Sequence, residues 1–304
     1  MSYNIGSFNL HNLGLSALSN NNSRDLSKIA TIIRDESFDV VALQEIRSDG
    51  KAFHLEKEGF KKNILQELGP DWTFNYADTE SLDARNECYA FLWNNKRLML
   101  SKKKEDNTGG DSFPDLCRIK KDKLRRHPYY IRLSPVRGPF IELRLICIHT
   151  SFTDKNQLRQ ELEILLREIY PSIEDRRYGN NRPAYTILLG DYNACLWRSW
   201  NTMNDNPVFL NCDDQKNDLI IEGNKRIKTV QDQRTTLKQV FEDEEQRGYS
   251  HDYDHFSYDL NGFEGVKVSA KRIDAVRKYC GDDFKKYYDT VSDHIPIIMN
   301  IELK

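Results

Sequence analysis

Polar side chains that can bind a divalent cation or transfer a proton occur where apolar segments of this 304-residue sequence end. A single Asp or Asn in such a place is ordinarily a turn residue, but here the pattern repeats along the whole chain. Rigid strands that end in loops are also the usual support for catalytic groups. The side chains in question are Asn9, Glu45, His149, Asp191, Asn193, Asp293 and His294.

The types of these side chains indicate which chemistry they could support. Carboxylate and amide oxygens suit a hard cation such as Mg²⁺ or Mn²⁺. His149 and His294, two of the seven histidines, can act as general acids or bases or stabilise negative charge. Together these groups predict metal-assisted hydrolysis of a phosphate ester, in which the protein positions a water molecule and stabilises charge on the phosphoryl oxygens. The motifs of serine hydrolases, P-loop enzymes, dinucleotide-binding proteins and zinc proteases do not occur in the sequence.

The segments that must position these side chains alternate between strand-like and helix-like patterns. Continuous or alternating apolar residues predict strands, and apolar residues at helical spacing predict helices. Because the alternation runs from end to end without a linker, it predicts an α/β protein and offers no domain boundary. The predicted strands cover 3–9, 39–43, 88–93, 140–148, 184–189 and 297–303, and the predicted helices cover 26–33, 56–68 and 158–169.

Charge is nearly balanced overall, with 45 Lys and Arg against 47 Asp and Glu and a formal net charge of -2. A uniformly basic nucleic-acid-binding surface is therefore excluded. Residues 96–137 nevertheless hold 13 basic and 5 acidic side chains, whereas residues 241–259 hold 7 acidic and 1 basic. The lysines at 102–104 fit a solvated turn and a contact with a polyanion equally well.

The remaining patterns concern metal ligands, thiols and location. His251, Asp252, Asp254 and His255 lie close together, but their spacing fits no metal site, and we interpret them as part of a solvated acidic loop. Six cysteines without a C-x-x-C pair indicate buried reduced thiols. No apolar run approaches the roughly 18 residues of a membrane span, and the first residues lack a signal-peptide pattern. These features predict a cytoplasmic protein that does not enter a membrane.

Seven short motifs occur in the order found in one superfamily. They are SFN at 7–9, LQE at 43–45, Glu87 before an apolar strand, CIHT at 147–150, GDYNA at 190–194, RID at 272–274 and SDHIP at 292–296. On these motifs the sequence resembles the deoxyribonuclease I-like branch of the endonuclease/exonuclease/phosphatase superfamily. The resemblance implies a four-layer α/β sandwich, in which two mixed and mainly antiparallel sheets pack face to face with helices outside. It also implies one domain over 1–304, with a family-specific insertion around 195–250.

The resemblance also implies roles for the residues at matching positions. Glu45 would be the principal metal carboxylate, with Asn9 and Asp293 as further or water-mediated ligands of Mg²⁺ or Mn²⁺. Asp191 and Asn193 would orient the nucleophilic water and contact the scissile phosphate.

Two histidine–acid pairs are implied in the same way. His294 is expected to pair with Asp274, and His149 with Glu87. In each pair the acid would fix the tautomer of the imidazole and favour its cationic form.

The substrate is not determined by these motifs, because the superfamily includes DNases, abasic-site nucleases, RNA deadenylases, inositol-phosphate phosphatases and sphingomyelinases. Arg47 and Arg126 occupy positions similar to DNA-contacting arginines, and Arg85 stands where a minor-groove tyrosine is expected. Arg47, Arg126 and the basic segment predict a nuclease that acts on DNA, with RNA as an open alternative, whereas Arg85 in place of the tyrosine departs from the pattern for reading duplex DNA. The other hypotheses are a phosphatase or phospholipid phosphodiesterase on the same scaffold, and a non-catalytic binding protein that keeps the fold.

Overall fold

The fold is described from a computed structural model of the chain. The structure describes residues 1–14, 24–47, 64–78, 87–101, 123–152, 154–176, 182–195, 218–221, 225–238 and 248–303. The predicted helix over 56–68 falls largely outside these ranges. Of the predicted insertion around 195–250, the described parts include two strands that extend a sheet, and the remainder lies outside the described residues.

Two mixed sheets contain the strands of the described chain. In spatial order, the first sheet consists of β12 (Lys267–Arg272), β13 (Ile297–Glu302), β1 (Ser2–Leu13), β2 (Val40–Arg47), β4 (Glu87–Asn94) and β3 (Trp72–Asp78). The second consists of β5 (Leu98–Leu100), β6 (Tyr129–Pro135), β7 (Glu142–His149), β8 (Ala184–Asp191), β11 (Asp254–Asp259), β10 (Lys225–Val230) and β9 (Asp218–Ile221). Each sheet has one parallel pair, β1–β2 in the first and β7–β8 in the second, and the other pairs are antiparallel.

Helices cover the outer faces of both sheets. They are α1 (Leu26–Asp35), α2 (Gln66–Leu68), α3 (Lys155–Ile164), α4 (Tyr170–Glu174), α5 (Ala275–Cys280) and α6 (Phe284–Thr290), and a π-helical turn over Leu165–Ile169 joins α3 to α4. None of the helices within the described ranges has the length and apolarity needed to cross a membrane. The predicted strand and helix alternation is therefore realised as two sheets with helices on the outside.

Alternating side chains of β2 pack into two different apolar layers. Val40 and Ala42 of β2 face the core between the two sheets, whereas Val41 and Leu43 pack under the outer helices beside Ile29 of α1. Because neighbouring residues of a strand point to opposite faces, both faces of this strand are buried. The same applies to β7, whose eight residues are all buried, as expected for a parallel strand covered on both sides.

Three apolar clusters define the layers. The central cluster joins the two sheets, with Tyr3 and Ile5 of the first packing with Leu143 and Leu145 of the second. A second cluster lies between the first sheet and helices α1, α5 and α6, and a third lies between the second sheet and helices α3 and α4. The predicted four-layer sandwich is confirmed. The two parallel pairs at its centre place the ends of β1, β2, β7 and β8 where catalytic side chains were predicted.

A buried charged triad connects the second sheet to its helical layer. Glu142 accepts hydrogen bonds from Arg132 at 2.6 Å and from Arg144 at 2.8 Å, and all three residues are buried. Arg144 also donates to the carbonyl of Ile173 in α4, and a cation at a helix C-terminus is favourable. Burial opposes ionisation of Glu142, but the two guanidinium groups prevail and lower its pKa.

The region 251–255 differs from the prediction of a solvated loop. Asp254 begins the buried strand β11, and Asp252 and His255 are also buried. Both ring nitrogens of His255 lie within hydrogen-bond distance of backbone oxygens, 2.7 Å from Gln231 and 2.8 Å from Ala194. The prediction was wrong for these three residues because acidic composition alone does not reveal that a buried strand begins there.

The cysteines agree with the prediction as far as they are described. Cys88, Cys147, Cys195 and Cys280 are buried, reduced thiols. Burial raises the pKa of the Cys147 thiol to about 12, so this thiol stays protonated and unreactive at neutral pH. Cys117 and Cys212 lie outside the described residues.

Candidate active site

Irregular backbone at the ends of β1 and β2 forms the first wall of the site. The register between these strands shifts between Asn9 and Leu13, and β2 shifts against β4 between Leu43 and Ile46. Such bulges redirect side chains at sheet edges. Inside them, His11, Asn12 and Glu45 have φ values of 45°, 56° and 56°. Positive φ is costly for residues other than glycine and concentrates at functional sites.

Glu45 is held by the strand next to it. Its Oε1 accepts a hydrogen bond of 2.9 Å from Nδ2 of Asn9, and its Oε2 accepts one of 3.0 Å from the backbone N–H of Asn12. Burial raises the pKa of Glu45, but His149 and the Asn9 amide outweigh it, and the net shift is downward. Glu45 is therefore an ionised carboxylate at neutral pH.

Asn9 contacts the carboxylates through its nitrogen. Its Oδ1 accepts a hydrogen bond of 2.9 Å from the backbone N–H of His11, and a backbone N–H can only donate. The amide nitrogen therefore faces Glu45 and also donates to Oδ2 of Asp191 at 3.0 Å. Asn9 thus bridges the two acids through its nitrogen, and its predicted role as a further or water-mediated metal ligand stays a prediction.

The parallel pair β7–β8 brings His149 and Asp191 opposite each other. The close approach requires Gly190, which has a φ of 142° and whose missing Cβ would lie 2.0 Å from the carbonyl oxygen of Ile148. Oδ1 of Asp191 accepts a hydrogen bond of 2.8 Å from the backbone N–H of Asn193. Glycine in the GDYNA segment is thus needed to place the aspartate at the strand end.

Asn193 also has positive φ, at 46°, and lines the cavity around which the side chains of the site are arranged. Its Nδ2 donates to the carbonyl of Thr150 at 2.9 Å. An amide nitrogen has two hydrogens, so one remains for a ligand in the cavity.

His149 is oriented by Glu87, as predicted. Its Nδ1 lies 3.0 Å from Oε2 of Glu87, and an ionised carboxylate only accepts, so Nδ1 carries the proton. Its Nε2 consequently points into the site, 3.7 Å from Oε1 of Glu45 and 3.7 Å from Oδ2 of Asp191. Burial lowers the pKa of His149, but the hydrogen bond to Glu87 and the nearby acids prevail and raise it.

Arg126 supports Glu87 from the other side. Its Nε lies 2.8 Å from Oε2 and its Nη2 2.9 Å from Oε1 of Glu87, and the side chain is 7% exposed. Burial of Glu87 raises its pKa, yet His149 and Arg126 together lower it to about 2. Arg126 also lines the cavity of the site, and its predicted contact with nucleic acid stays a prediction. Its guanidinium is bound to Glu87 and the carbonyl of Thr150.

His294 is oriented by an acid that the sequence did not reveal. Its Nδ1 lies 2.8 Å from Oδ2 of Asp254, and its Nε2 lies 3.6 Å from Oδ2 of Asp191. The predicted partner, Asp274, is exposed and occupies the N-cap position of α5, so that pairing was wrong. Burial opposes a charge on His294, but Asp254 and Asp191 prevail and raise its pKa well above the ordinary value.

The position of Asp254 at the start of a strand explains why it was missed. Strand β11 runs antiparallel to β8, with Asp254 opposite Asp191. The first residue of β11 therefore lies at the edge where β8 ends. A residue that begins an apolar strand can therefore belong to a site as readily as one that ends a strand.

The carboxylates of the site fit a divalent cation. Two groups have ligating atoms within 4.8 Å of one another, Glu45 with His149 and Asp191, and Asp191 with Asp254 and His294. Asn12 and Asp293 line the same cavity, and within the described chain Oδ1 of each is buried without a hydrogen bond. Oδ1 of Asp293 lies 3.2 Å from Nδ1 of His11. Anionic and amide oxygens of this kind are the ligands that Mg²⁺ and Mn²⁺ prefer.

These side chains line one cavity of about 690 Å³. The structure brings together nine of the predicted residues, Arg126 and Asp293 included, and adds Asp254 beside them. Arg85 lies outside the described residues, as does the side chain of Arg47, and both stay predictions. The predicted residues assembled here are Asn9, Glu45, Glu87, His149, Asp191, Asn193 and His294, with Asp293 on the same cavity wall.

A comparison with protein families shows which family the chain belongs to. The model of the Endonuclease/Exonuclease/phosphatase family matches residues 1–212, more than half of the sequence. The chain belongs to this family. As an endonuclease/exonuclease/phosphatase family member it is a phosphoesterase, and its buried acid–histidine cluster is consistent with a divalent metal site. Asp254 and His294 lie beyond the matched range, and the fold places both beside Asp191 in the site.

Solved structures show the same fold at low sequence identity. A family protein from Bacteroides thetaiotaomicron has a TM-score of 0.59 and 12% identity, covering 100% of this chain and 98% of that one. A mannosyl-6-phosphatase from the same organism has a TM-score of 0.58 and 12% identity, covering 98% and 99%. The 2′,3′-cyclic phosphatase ANGEL2, in complex with adenosine-2′,3′-vanadate, has a TM-score of 0.58 and 14% identity, covering 99% and 95%. A search of curated protein sequences found no match.

Proposed function

We propose that this phosphoesterase is a nuclease that hydrolyses phosphodiester bonds of DNA, with RNA as the open alternative, in the presence of Mg²⁺ or Mn²⁺. The observation that carries the proposal is a convergence on Oδ2 of Asp191. Nε2 of His149 lies 3.7 Å away, Nε2 of His294 3.6 Å and Nδ2 of Asn9 3.0 Å. A carboxylate in this position can receive a proton from water, and the two cationic donors beside it can stabilise negative charge on a phosphate.

Asp191 is the group that we assign to the attacking water. Burial raises its pKa, although the imidazolium of His294 opposes the shift, and a higher pKa makes a carboxylate a stronger base. Its other oxygen is fixed by the backbone of Asn193. The carboxylate therefore presents Oδ2 to the cavity and accepts the proton that the water loses.

His149 and His294 are the groups that we assign to the phosphate. Glu87 and Asp254 occupy their Nδ1 atoms, so both Nε2–H groups point toward the cavity. There they donate to the non-bridging oxygens, on which negative charge increases as water attacks. Asn193 contributes the second hydrogen of its amide.

Glu45 and Asp293 are the residues that would hold the cation. When bound, a divalent cation supplies neutralisation of charge on the phosphoryl oxygens. Asn9 acts as a positioning residue, because its amide fixes Glu45 and Asp191 relative to each other.

A phosphatase is the second candidate, and two observations favour it. Solved structures of the same fold include a mannosyl-6-phosphatase and a 2′,3′-cyclic phosphatase. Arg126, predicted to contact nucleic acid, has its guanidinium engaged by Glu87. The phosphate chemistry assigned above would serve a monoester equally well, so the two candidates differ only in what surrounds the phosphate.

A substrate panel separates these candidates. Purified protein is incubated with plasmid, linear and single-stranded DNA, RNA, mannose 6-phosphate, an inositol phosphate and sphingomyelin, each with Mg²⁺, Mn²⁺ or EDTA. The proposal predicts metal-dependent cleavage of a nucleic acid. Hydrolysis of a small ester or sphingomyelin without cleavage of any nucleic acid contradicts the nuclease assignment, and no hydrolysis at all favours a non-catalytic binding protein.

A further inference from the structure

Three aromatic rings, those of Phe152, Tyr253 and His251, line the same cavity. Phe152 is 68% exposed, the highest value among the large apolar side chains of the described chain. Its ring centroid lies 6.4 Å from that of Tyr253, at an interplanar angle of 68°. His251 stacks on Tyr253 at 4.7 Å with an angle of 8°. One exposed apolar residue is ordinary, but three rings grouped on the wall of a catalytic cavity need an explanation.

The backbone at Phe152 is held in place close to the end of β7, the strand that carries His149. Thr150, the residue after His149, donates its N–H to the carbonyl of Asp191 at 3.1 Å. Ser151 then donates its N–H to Oε2 of the buried Glu161 at 2.7 Å. The exposed ring is thus presented from an anchored segment, three residues after a catalytic imidazole.

Tyr253 is fixed in a similar way on the other arm of the site. It directly precedes Asp254, the partner of His294, and its carbonyl accepts a hydrogen bond of 2.8 Å from the N–H of Tyr192. Its own N–H lies 3.2 Å from Oγ1 of Thr235. The two sides of the aromatic wall are therefore tied to the two segments that hold the phosphate-binding histidines.

The chemistry of the wall fits a planar group better than a sugar. Among the described residues that line the cavity, the carboxylates Glu45, Glu87, Asp191 and Asp293 all belong to the phosphate site. A saccharide would need acceptors for its hydroxyl groups beside the aromatic rings, and the hydroxyls of Ser250 and Thr236, which also line the cavity, are already hydrogen-bonded to His251. A nucleobase needs a flat face, and stacking of a base on an aromatic side chain is sequence-tolerant.

We propose that Phe152, Tyr253 and His251 form a stacking subsite for the nucleobase next to the scissile phosphate, so that the substrate class is a nucleotide phosphodiester. This inference rests on the proposed phosphodiester hydrolysis. A base at this place extends the parallel pair of His251 and Tyr253 or lies against the open face of Phe152. Its contribution is to hold the phosphate between His149 and His294.

Two esters that differ only in the base test the proposal. They are thymidine 5′-(4-nitrophenyl) phosphate and its counterpart with 1,2-dideoxyribose in place of thymidine, and both release 4-nitrophenol. The wild-type protein is expected to prefer the thymidine ester roughly tenfold or more in kcat/KM, mainly through a lower KM. Phe152→Ala should remove most of this preference while leaving the abasic ester within about twofold, and Phe152→Trp should keep it.

Phe140→Ala is the matched control. Phe140 is 60% exposed, but it lies against Arg182 at 4.3 Å and does not line the cavity, so the preference should be unchanged. Equal use of the two esters by the wild type, or equal loss of both in Phe152→Ala, overturns the subsite and leaves phosphodiester hydrolysis standing. Failure to hydrolyse either ester, with mannose 6-phosphate hydrolysed, overturns both proposals.

Discussion

Asp254 accepts a hydrogen bond of 2.8 Å from Nδ1 of His294, across 40 residues of sequence. The carboxylate fixes the tautomer of the imidazole and directs Nε2 toward Asp191. Asp254 does not reach the cavity as a reacting group, and we regard it as a positioning residue. The same arrangement recurs on the other side of the site, where Glu87 holds His149.

Replacing Asp254 should disable His294 without removing it. We expect Asp254→Asn to lower kcat roughly 100-fold or more, because a positioned proton donor contributes about that much. The raised pKa of His294 should fall, since Asp254 is the largest of the influences that favour its cationic form. NMR titration of the ring nitrogens measures the pKa directly. Asp274→Asn, at an exposed position, should change neither kcat nor the pKa of His294. An equal effect of both variants would support the pairing of His294 with Asp274 that the sequence predicted.

The pH dependence of His149 should be governed by Glu87. Glu87 and the other acids hold the pKa of His149 above its ordinary value, so the imidazolium persists to higher pH than in a free histidine. In Glu87→Gln the alkaline limb of the kcat profile should move to lower pH, because the cation is lost earlier as pH rises. The profile of the wild type measured in parallel provides the reference. A limb that moves to higher pH would contradict the assigned hydrogen bond.

Stability should depend on the buried triad of Arg132, Glu142 and Arg144. Glu142→Gln leaves two buried guanidinium groups without their carboxylate, and the expected loss in free energy of unfolding is about 3–5 kcal/mol. Urea unfolding at neutral pH measures it. Glu302→Gln, whose partner Lys267 is exposed, is a control that should change stability by well under about 1 kcal/mol.

The triad also predicts the sign of a pH effect. The folded pKa of Glu142 lies below its unfolded value, so its stabilisation is present above the ordinary carboxyl pKa and is lost as pH falls through the lower folded value. The difference in stability between wild type and Glu142→Gln should therefore shrink in acid. A difference that grows as pH falls would contradict the ion pairing.

Much of the fold and part of the site could be predicted from the sequence. Apolar periodicity identified β1, β7 and β8, because a buried strand must be apolar and its end must be polar. Glu45, His149 and Asp191 follow such strands and were found for that reason. The sequence did not reveal how the sheets place antiparallel strands, and Asp254, at the beginning of β11, was therefore missed.

Backbone geometry limited the prediction at two other places. The positive φ values of His11 and Asn12 arise from a register shift that residue types do not indicate. The shift places the N–H of His11 on Oδ1 of Asn9 and turns the amide nitrogen toward Glu45. Arg126 was predicted to contact the substrate because of its charge. Its hydrogen bond to Glu87 could not be predicted, because the two residues lie 39 positions apart in the sequence.

The central claim is that one metal-dependent site, built around Asp191, hydrolyses a phosphodiester. Single-turnover hydrolysis of a DNA oligonucleotide with Mn²⁺, compared between wild type, Asp191→Asn and the surface control Asp35→Asn, tests it most directly. We predict a loss of roughly 1,000-fold or more for Asp191→Asn, an unchanged rate for Asp35→Asn, and no hydrolysis in EDTA. A rate for Asp191→Asn within about tenfold of the wild type, or cleavage that persists in EDTA, would contradict the account.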